Sequence, residues 1–434
     1  MYKVGFISLG CSKNLVDTEM IIGLMKNANF EIVNNEKDSD IIVINTCGFI
    51  NDAKEESINT ILEMIEYKNK KCKYIIVVGC LAKRYKQELE KLIPEVDLFI
   101  GPDEYNNLPQ ILNNLIQSKE NEIKGNLTDI DRVITTPKYM AYLKIAEGCD
   151  NRCTYCAIPA IRGKYISRPI ESIIEEAEKL NKNGVTELVV IAQDTSKYGI
   201  DIYGEYKLDV LMEKLAKIGF KWIRMLYTYP ESINKRLIKV IKDNPNICPY
   251  FDIPIQHISN NVLKRMGRKT SKEQIAQTIE DIRKELPNVV LRTTVMVGFP
   301  GETQEDFDEL YSFVKNTRFD RLGVFKYSKE ENTPAEKLKG HLHHMTKLSR
   351  YNKIMQLQQK ISLENNENKI GNKYIMLVEN IRGNIILGRT YMDSPEIDGM
   401  VKCKNDKNKK INIGDYIEIE ITNCNEYDLY GKVI

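Results

Sequence analysis

The sequence lacks any large excess of charge. Its 434 residues include 63 lysines and arginines against 61 aspartates and glutamates, so the formal net charge is only +2. A protein that binds nucleic acid over most of its surface needs a strongly basic domain, because phosphate contacts supply most of the affinity. The balance of charge excludes that class for the chain as a whole.

Long apolar runs are also missing. No stretch approaches the ~20 apolar residues that a membrane-spanning helix needs. The opening run MYKVGFISLGCSKN breaks at Gly10 and lacks the longer apolar core and cleavage site of a secretory signal. We therefore expect a cytoplasmic protein with no membrane contact. Its ten cysteines are then thiols or metal ligands rather than disulfides.

The chain divides into segments that differ in their pattern of apolar and polar residues. The first hundred residues alternate apolar runs with amphipathic helices, which predicts a parallel sheet covered on both faces. Six further strand–helix units predict an incomplete barrel, since eight are needed for closure. Short strands and turns then predict a small β-barrel of OB-like size. The predicted domains are residues 1–117, a linker at 118–138, a core with its connecting helix at 139–368, and a C-terminal domain at 369–434.

Three cysteines lie close together in the segment GCDNRCTYC. Cys149, Cys153 and Cys156 form a C-x3-C-x2-C loop just after the first strand of the predicted barrel. Barrel active sites lie at that end of the strands. Three thiolates can bind three irons of a [4Fe–4S] cluster and leave the fourth iron open for a small molecule. The alternatives are chance or a zinc site with a distant fourth ligand, although no nearby histidine completes a tetrahedron.

Three other cysteines share a position relative to the predicted strands. Cys11, Cys47 and Cys80 each follow the end of a parallel strand in the first hundred residues. Ligands of open α/β sheets bind at that edge, so we expect the three thiols to meet there. The alternative is that they are small buried residues, as free cysteines often are. We interpret the remaining cysteines as structural: Cys72, Cys248, Cys403 and Cys424.

The cysteine loop resembles the cluster motif of the radical S-adenosylmethionine (SAM) enzymes. That resemblance implies that the open iron binds SAM and that an electron from the cluster cleaves it to a 5′-deoxyadenosyl radical. Tyr155 matches the aromatic position that packs near the adenine. The segment VMVGFPGET, which contains Gly298, resembles the strand that supports the adenine through its backbone. An ordinary strand ending in a Pro-Gly turn is the alternative for that segment.

Polar residues near the same face are further candidates. Gln193 and Asp194, at the C-terminal end of a barrel strand, are expected to orient SAM or the substrate, with a structural role as the alternative. Arg162 and Lys164 follow the cysteine loop and are candidates for contacting a carboxylate. The histidines at 341–344 lie in a connector between domains, and we expect them to be exposed rather than metal-bound.

The segments together resemble the methylthiotransferase family over essentially the whole chain. The resemblance implies a flavodoxin-like N-terminal domain, a partial TIM-like radical SAM barrel of six units and a C-terminal TRAM domain. It implies two [4Fe–4S] clusters, the second on Cys11, Cys47 and Cys80, where the sulfur to be inserted is carried. One SAM supplies the radical and another the methyl group as a C–H becomes C–SCH3. We expect a monomer served by a flavodoxin- or ferredoxin-type electron donor.

Several stretches resemble the branch that modifies an aspartate of ribosomal protein S12, free or in the ribosome. They include CSKNLVDTE, FDIPIQHIS and RTYMDSPEIDG. The run Ala-Gln-Asp-Thr at 192–195 stands where the branch acting on transfer-RNA adenosines typically has Gly-Gln-Asn. The resemblance therefore favours S12 as the substrate.

Charge gives a second argument for a protein substrate. The segment from Lys369 to the end contains ten lysines and arginines and ten aspartates and glutamates. A neutral domain with acids at Asp393, Glu396 and Asp398 suits a basic protein better than RNA. The alternative for these acids is that they only solvate an exposed face. Two alternatives remain open: an enzyme that methylthiolates transfer-RNA adenosine, and a regulatory iron–sulfur protein that binds RNA and uses its clusters as redox sensors.

Overall fold

The computed structural model of the chain describes residues 1–116, 132–405 and 409–434. Of the predicted linker, residues 118–131 lie outside the described residues. No helix in the described part has the length and apolar character that crossing a membrane requires.

The N-terminal domain is a five-stranded parallel sheet with the strand order β2-β1-β3-β4-β5. This is the doubly wound flavodoxin-like order, which confirms the predicted fold. The central strands are uniformly apolar because helices cover both faces, and every residue of β3 is buried. The strands are β1 Lys3–Ser8, β2 Glu31–Val33, β3 Ile41–Thr46, β4 Tyr74–Gly79 and β5 Leu98–Ile100, and the helices are α1 Ser12–Asn27, α2 Asn51–Ile65, α3 Cys80–Leu92 and α4 Leu108–Ile116.

The middle domain is a partial barrel of six parallel strands in two sheets, β6-β9-β10 and β11-β12-β13. A parallel bridge between Ile223 and Ile247 joins the two sheets. Among the described strands β6 and β13 are not paired, so the barrel is open, as predicted. The strands are β6 Met140–Lys144, β9 Glu187–Ile191, β10 Trp222–Met225, β11 Tyr250–Asp252, β12 Val290–Val297 and β13 Arg321–Lys326, with a small hairpin of β7 Ala146–Glu147 and β8 Ile166–Ser167.

The longer helices cover the outside of the barrel and bury an apolar face against its strands. The helix that begins after Thr303 has a capping box, in which Thr303 Oγ1 accepts from Asp306 N at 3.1 Å and the Asp306 carboxylate accepts from Thr303 N at 2.9 Å. The helices are α5 Ile158–Arg162, α6 Ile170–Lys182, α7 Ile200–Tyr203, α8 Leu208–Ala216, α9 Lys235–Asp243, α10 Asn260–Arg265, α11 Lys272–Glu285, α12 Gln304–Thr317 and α13 His344–Glu367.

The connecting helix α13 begins at the histidine-rich segment. His341, His343 and His344 are exposed, as expected. The ring of His343 accepts a hydrogen bond from Met345 N at 3.2 Å and so caps the first turn of α13. These histidines therefore have a structural role at the start of a helix.

The C-terminal domain is a closed five-stranded barrel in the order β14-β15-β16-β18-β17, which confirms the predicted small barrel. Closure leaves no free sheet edge. Its strands are β14 Lys373–Arg382, β15 Ile385–Arg389, β16 Val401–Lys404, β17 Tyr416–Cys424 and β18 Leu429–Val433.

A buried ion-pair cluster joins the C-terminal barrel to the N-terminal ends of the middle strands. Glu187, the first residue of β9, is fully buried and accepts from Arg389 at 2.6 Å, with Arg224 at 3.4 Å. Burial opposes ionisation of this carboxyl, but the two guanidinium groups outweigh it and hold the pKa of Glu187 below its usual value. Arg224 also donates to the Tyr391 carbonyl at 2.8 Å. The cluster therefore ties the two barrels together.

Two acids of the cluster expected to suit a basic partner, Asp393 and Asp398, are directed inward, which contradicts the expectation for them, whereas Glu396 is exposed. Asp393 pairs with Arg321 at 2.8 Å. The carboxylate of Asp398 accepts from the Tyr250 hydroxyl at 2.6 Å and lies 3.6 Å from Arg292. The sequence did not show that these three partners from the middle barrel would meet this loop, because they lie far away along the chain.

Replacing Glu187 by alanine should destabilise the protein by about 3–5 kcal/mol, because two guanidinium groups would remain buried without their carboxylate. The measurement is the urea midpoint and the melting temperature of the purified chain. Glu213→Ala is the control, since its pair with Lys217 is exposed and an exposed pair contributes little to stability. Equal losses for the two variants would contradict the structural role of Glu187.

Candidate active site

The three N-terminal cysteines lie at the carboxyl edge of the parallel sheet, where the topology predicts them. Cys11 lies just beyond β1, Cys47 follows β3 directly, and Cys80 follows β4 directly. Strands β1, β3 and β4 are adjacent in the sheet, so the three turns that leave them share one rim.

Contacts at this rim bring the thiols close to one another. An ideal Cβ placed on Gly10 would lie 3.1 Å from Cys47 Sγ, so the turn that carries Cys11 lies against Cys47. Burial raises the pKa of the Cys80 thiol to about 11, and Arg162 lowers it while Cys11 and Cys47 add to the rise. The three thiols therefore share one electrostatic environment.

The second set of cysteines lies in the loop between β7 and α5. Cys149 N donates to the Gly163 carbonyl at 3.2 Å, and Cys156 N donates to the Cys153 carbonyl at 3.0 Å. Between them Thr154 is fixed to α10, because its backbone N donates to the Met266 carbonyl at 2.9 Å. Main-chain hydrogen bonds thus hold the loop in a defined turn.

The thiols of this loop also perturb each other. Burial raises the pKa of Cys149 to about 11 and that of Cys156 to about 12, and the other cysteines of the loop add to both shifts. A metal ligand must be the thiolate, so loading iron here releases protons.

Each of the two cysteine sets offers thiols alone as donors. Thiolates are the donors that iron–sulfur clusters take. Within the described residues, no group of three or more His, Cys, Asp or Glu side chains is arranged to hold one metal ion.

Asp194 supports the cysteine loop. Its carboxylate accepts from Asn151 Nδ2 at 2.7 Å and from Ser196 Oγ at 2.8 Å, and its carbonyl accepts from the Tyr165 hydroxyl at 2.9 Å. The side chain is almost fully buried. With both carboxylate oxygens engaged inside the protein, Asp194 fixes the Asn151 turn between two of the loop cysteines.

Aromatic rings line one side of the same loop. Tyr155 meets Phe299 edge to face with 6.3 Å between ring centroids, and Phe299 meets Tyr327 in the same way at 5.2 Å. The turn at Gly298 is fixed by Glu302, whose carboxylate accepts from the backbone N of Gly298 at 2.6 Å. The structure therefore brings Tyr155 and the Gly298 turn together, as the sequence resemblance requires.

Buried polar atoms near the loop that have no partner among the described residues include Gln193 Oε1, whose amide nitrogen donates to Glu147 at 2.7 Å. Arg268 Nε is another. The Arg268 guanidinium lies 4.2 Å from the Tyr229 ring centroid and 4.0 Å from Cys153 Sγ. One acceptor and one donor are thus available to a ligand that has both kinds of polar group, as SAM does.

Arg268 was not among the residues that the sequence predicted at this site. It follows the short helix α10 rather than a strand, so no topological rule places it at the catalytic face. Only the cation–π contact with Tyr229 and the approach to Cys153 show its position.

The two cysteine sets lie across one domain junction. Cys80 packs against Ala157 and Ile161, which follow the barrel cysteines directly. Arg162, at the end of α5, donates from Nε to Cys80 Sγ at 3.3 Å. Helices α3 and α5, which begin at Cys80 and just after Cys156, pack against each other.

Ion pairs fix that junction on one side of the mouth. Arg162 pairs with Asp17 of α1 at 2.6 Å, and Lys144 of β6 pairs with the other oxygen of Asp17. Lys144 also pairs with Glu147 at 2.9 Å. Arg162 thus contacts carboxylates as the sequence indicated, whereas Lys164 is exposed.

A second clamp lies on the other side. Buried Glu330, beyond β13, pairs with Lys54 at 3.0 Å and with Arg84 at 3.3 Å. Arg84 also donates to the Gly48 carbonyl next to Cys47 at 2.8 Å. The N-terminal rim is therefore held over the carboxyl ends of the barrel strands from two sides.

Comparison with known proteins matches each part of this architecture. Residues 3–101 match the family described as "Uncharacterized protein family UPF0004", residues 143–314 match the radical SAM superfamily, and residues 370–434 match the TRAM domain.

Full-length relatives agree. A protein of Alkaliphilus oremlandii (strain OhILAs) named ribosomal protein uS12 methylthiotransferase RimO is 58% identical over 434 residues, covering 99% of both chains. The chain belongs to this methylthiotransferase family. A protein of the same name from Clostridioides difficile (strain 630) is 51% identical, covering 100% of this chain and 99% of the relative. As a radical SAM enzyme, the chain uses a [4Fe–4S] cluster and SAM.

Solved structures share the fold at low identity. The radical SAM methyltransferase TsrM from Kitasatospora setae, with cobalamin and a [4Fe–4S] cluster bound, superposes with a TM-score of 0.56 at 12% identity over 77% of each chain. The cobalamin-dependent SAM radical enzyme OxsB has a TM-score of 0.53 at 13% identity, covering 82% of this chain and 56% of its own. This likeness concerns the fold alone.

Replacing Gly148 by alanine should disrupt the cysteine loop. Gly148 has φ +76°, and a Cβ there would collide with the Lys164 carbonyl. We expect about four fewer irons per chain after anaerobic reconstitution, because one four-iron cluster would be lost. Iron and sulfide analysis measures this.

The matched control is Gly163→Ala. Gly163 has almost the same φ of +77°, but a Cβ there meets nothing within 4 Å. Gly163 also has ψ −161°, a backbone region that only glycine adopts readily, so this variant carries only backbone strain of about 1–3 kcal/mol and should keep its iron. Equal iron losses in the two variants would show that strain, not the collision, controls the loop.

Proposed function

We propose that this chain inserts a methylthio group at the β-carbon of an aspartate of ribosomal protein uS12. The observation that carries the proposal is the meeting of two three-thiol sets across one junction, with Cys80 packed on the residues that follow Cys156. Radical formation and sulfur insertion need two iron–sulfur centres that act on one substrate carbon. The ion-pair clamps on both sides of the junction support such a shared site.

We assign the barrel cluster to Cys149, Cys153 and Cys156 and a second [4Fe–4S] cluster to Cys11, Cys47 and Cys80. When bound, the barrel cluster and SAM would supply a 5′-deoxyadenosyl radical, and the second cluster and another SAM would supply the sulfur and methyl groups. In balance, the aspartate β-carbon would lose one hydrogen atom, which leaves as 5′-deoxyadenosine, and would form a C–S bond to a methylthiolate made from sulfide and the methyl group of the second SAM. The single electron released as that bond forms would balance the electron that cleaves the first SAM.

The residues of the chain bind and orient the reactants. Tyr155 and the backbone at Gly298 offer an aromatic and polar surface for the adenine of SAM. Arg268 Nε, unpartnered within the described residues, is a donor for its carboxylate, and Gln193 Oε1 is an acceptor for its ammonium or ribose. Asp194 acts indirectly, because its carboxylate is engaged by Asn151 and Ser196.

The names of the relatives and the sequence stretches of the uS12 branch support uS12 as the substrate. The neutral charge of the C-terminal domain also favours a protein over RNA. The inward orientation of Asp393 and Asp398 removes those acids from that argument. We further propose a cytoplasmic monomer that receives electrons from a flavodoxin- or ferredoxin-type donor.

A strain that lacks this gene should carry uS12 without the methylthio group, and the intact gene should restore it. Mass spectrometry of uS12 measures this, and mass spectrometry of transfer-RNA nucleosides from the same cells is the control. Normal uS12 together with hypomodified transfer RNA would assign the chain to the adenosine-modifying branch instead.

The reconstituted chain should hold about eight irons, from two four-iron clusters, and form 5′-deoxyadenosine from SAM with dithionite. A variant with Cys11, Cys47 and Cys80 replaced by alanine should hold about four irons and still cleave SAM, while methylthiolation stops. Four irons in the unaltered chain would refute the second cluster. Absence of 5′-deoxyadenosine would favour the redox-sensing RNA-binding alternative.

A further inference from the structure

We propose that Arg162 is a positioning residue that hydrogen-bonds the Cys80 thiolate and raises the reduction potential of the N-terminal cluster. The inference rests on the proposed function, because it needs the second cluster. It assigns to a residue of the barrel domain a role in tuning a metal centre that the N-terminal domain binds.

The geometry is a direct N–H···S contact. Arg162 Nε lies 3.3 Å from Cys80 Sγ, and the Arg162 side chain is only 2% exposed. Arg162 belongs to the barrel domain, whereas Cys80, 82 positions earlier in the chain, belongs to the N-terminal domain. The contact therefore joins the two domains. Cys80 is itself buried, so water competes little for the sulfur.

Both terminal nitrogens of the guanidinium are also engaged, which fixes its direction. One terminal nitrogen donates to Asp17 Oδ2 at 2.6 Å, and the other donates to Asn14 Oδ1 at 2.5 Å. Asn14 is held in turn, because its amide nitrogen donates to the carbonyls of Leu9 and Thr46, both at 3.1 Å. Nε is therefore directed at Cys80 by partners on both of its neighbouring nitrogens.

Arg162 could act on Cys80 through a directed hydrogen bond or through a general positive field, and the charges around Arg162 distinguish the two. Arg162 and Lys144 carry two positive charges, while Asp17 and Glu147 carry two negative ones. Lys144 pairs with Asp17 and Glu147, and Arg162 pairs with the same two carboxylates. These four charges are thus paired with one another, and the contact that distinguishes Arg162 is the N–H that reaches the sulfur.

Hydrogen bonds to the sulfurs of an iron–sulfur cluster are among the factors that set its potential. Reduction adds negative charge, which spreads onto the thiolate sulfurs. A donor at Cys80 therefore stabilises the reduced state more than the oxidised state. Without that donor, reduction of the N-terminal cluster becomes less favourable.

The test uses the full-length chain with Cys149, Cys153 and Cys156 replaced by alanine, so that only the N-terminal cluster is loaded. Potentiometric titration followed by electron paramagnetic resonance measures its potential. We expect Arg162→Gln to reduce the equilibrium constant for reduction by at least tenfold, which is 59 mV for one electron. The control Lys164→Gln removes an exposed positive charge two residues away and should leave the potential unchanged.

A merely structural role is tested by Asp17→Asn. This variant breaks the same ion-pair network but leaves the Nε–H next to Cys80, so the potential should stay the same or rise. If Arg162→Gln does not load iron, Arg162→Lys is the second variant. It keeps the charge but loses the forked donor, and it should lower the potential by a smaller amount.

Each result supports or overturns the proposed role of Arg162. A potential unchanged by Arg162→Gln, or lowered equally by Asp17→Asn, overturns the role of Arg162 while the second cluster stands. A background chain that binds no iron overturns the second cluster itself, and the proposed role of Arg162 with it. Failure of both Arg162 variants to load iron, while Asp17→Asn loads normally, would show that the residue builds the site rather than tunes it.

Discussion

The arrangement of this protein depends on the ion-pair network between Asp17, Lys144, Glu147 and Arg162, which is buried except at Glu147. Buried ion pairs cost desolvation energy, and replacing them with apolar groups often leaves stability unchanged or improves it. Here these ion pairs fix the orientation of the two domains, because each charged group accepts or donates hydrogen bonds at defined angles. The network sets the N-terminal sheet edge over the barrel mouth, and the packing of Cys80 on Ala157 and Ile161 follows from that orientation.

Topology explains why so much of the site could be predicted. Uniformly apolar runs between amphipathic helices identify parallel strands, and residues at the carboxyl ends of parallel strands meet at one edge. The sequence therefore predicted a common location for Cys11, Cys47 and Cys80, even though they are far apart in the chain. The cysteine loop was easier to predict, because its three cysteines are close together in the chain and follow one strand.

The remaining features depend on contacts between domains, which periodicity does not encode. Arg162 was a candidate partner for a carboxylate, but its bond to Cys80 requires knowing how two folded units meet. Asp393 and Asp398 were misjudged for the same reason. An acidic residue in a loop looks solvated until a buried arginine from another domain is placed beside it, as Arg321 is beside Asp393.

The N–H···S contact at Cys80 also limits how the two domains can evolve separately. The sulfur belongs to one folding unit and its donor to another, and Asn14 and Asp17 of the first unit hold that donor in place. Recombination that exchanged the N-terminal segment between distant relatives would separate a metal ligand from the arginine that faces it. The two domains are therefore expected to be inherited together, and substitutions at these positions should be correlated.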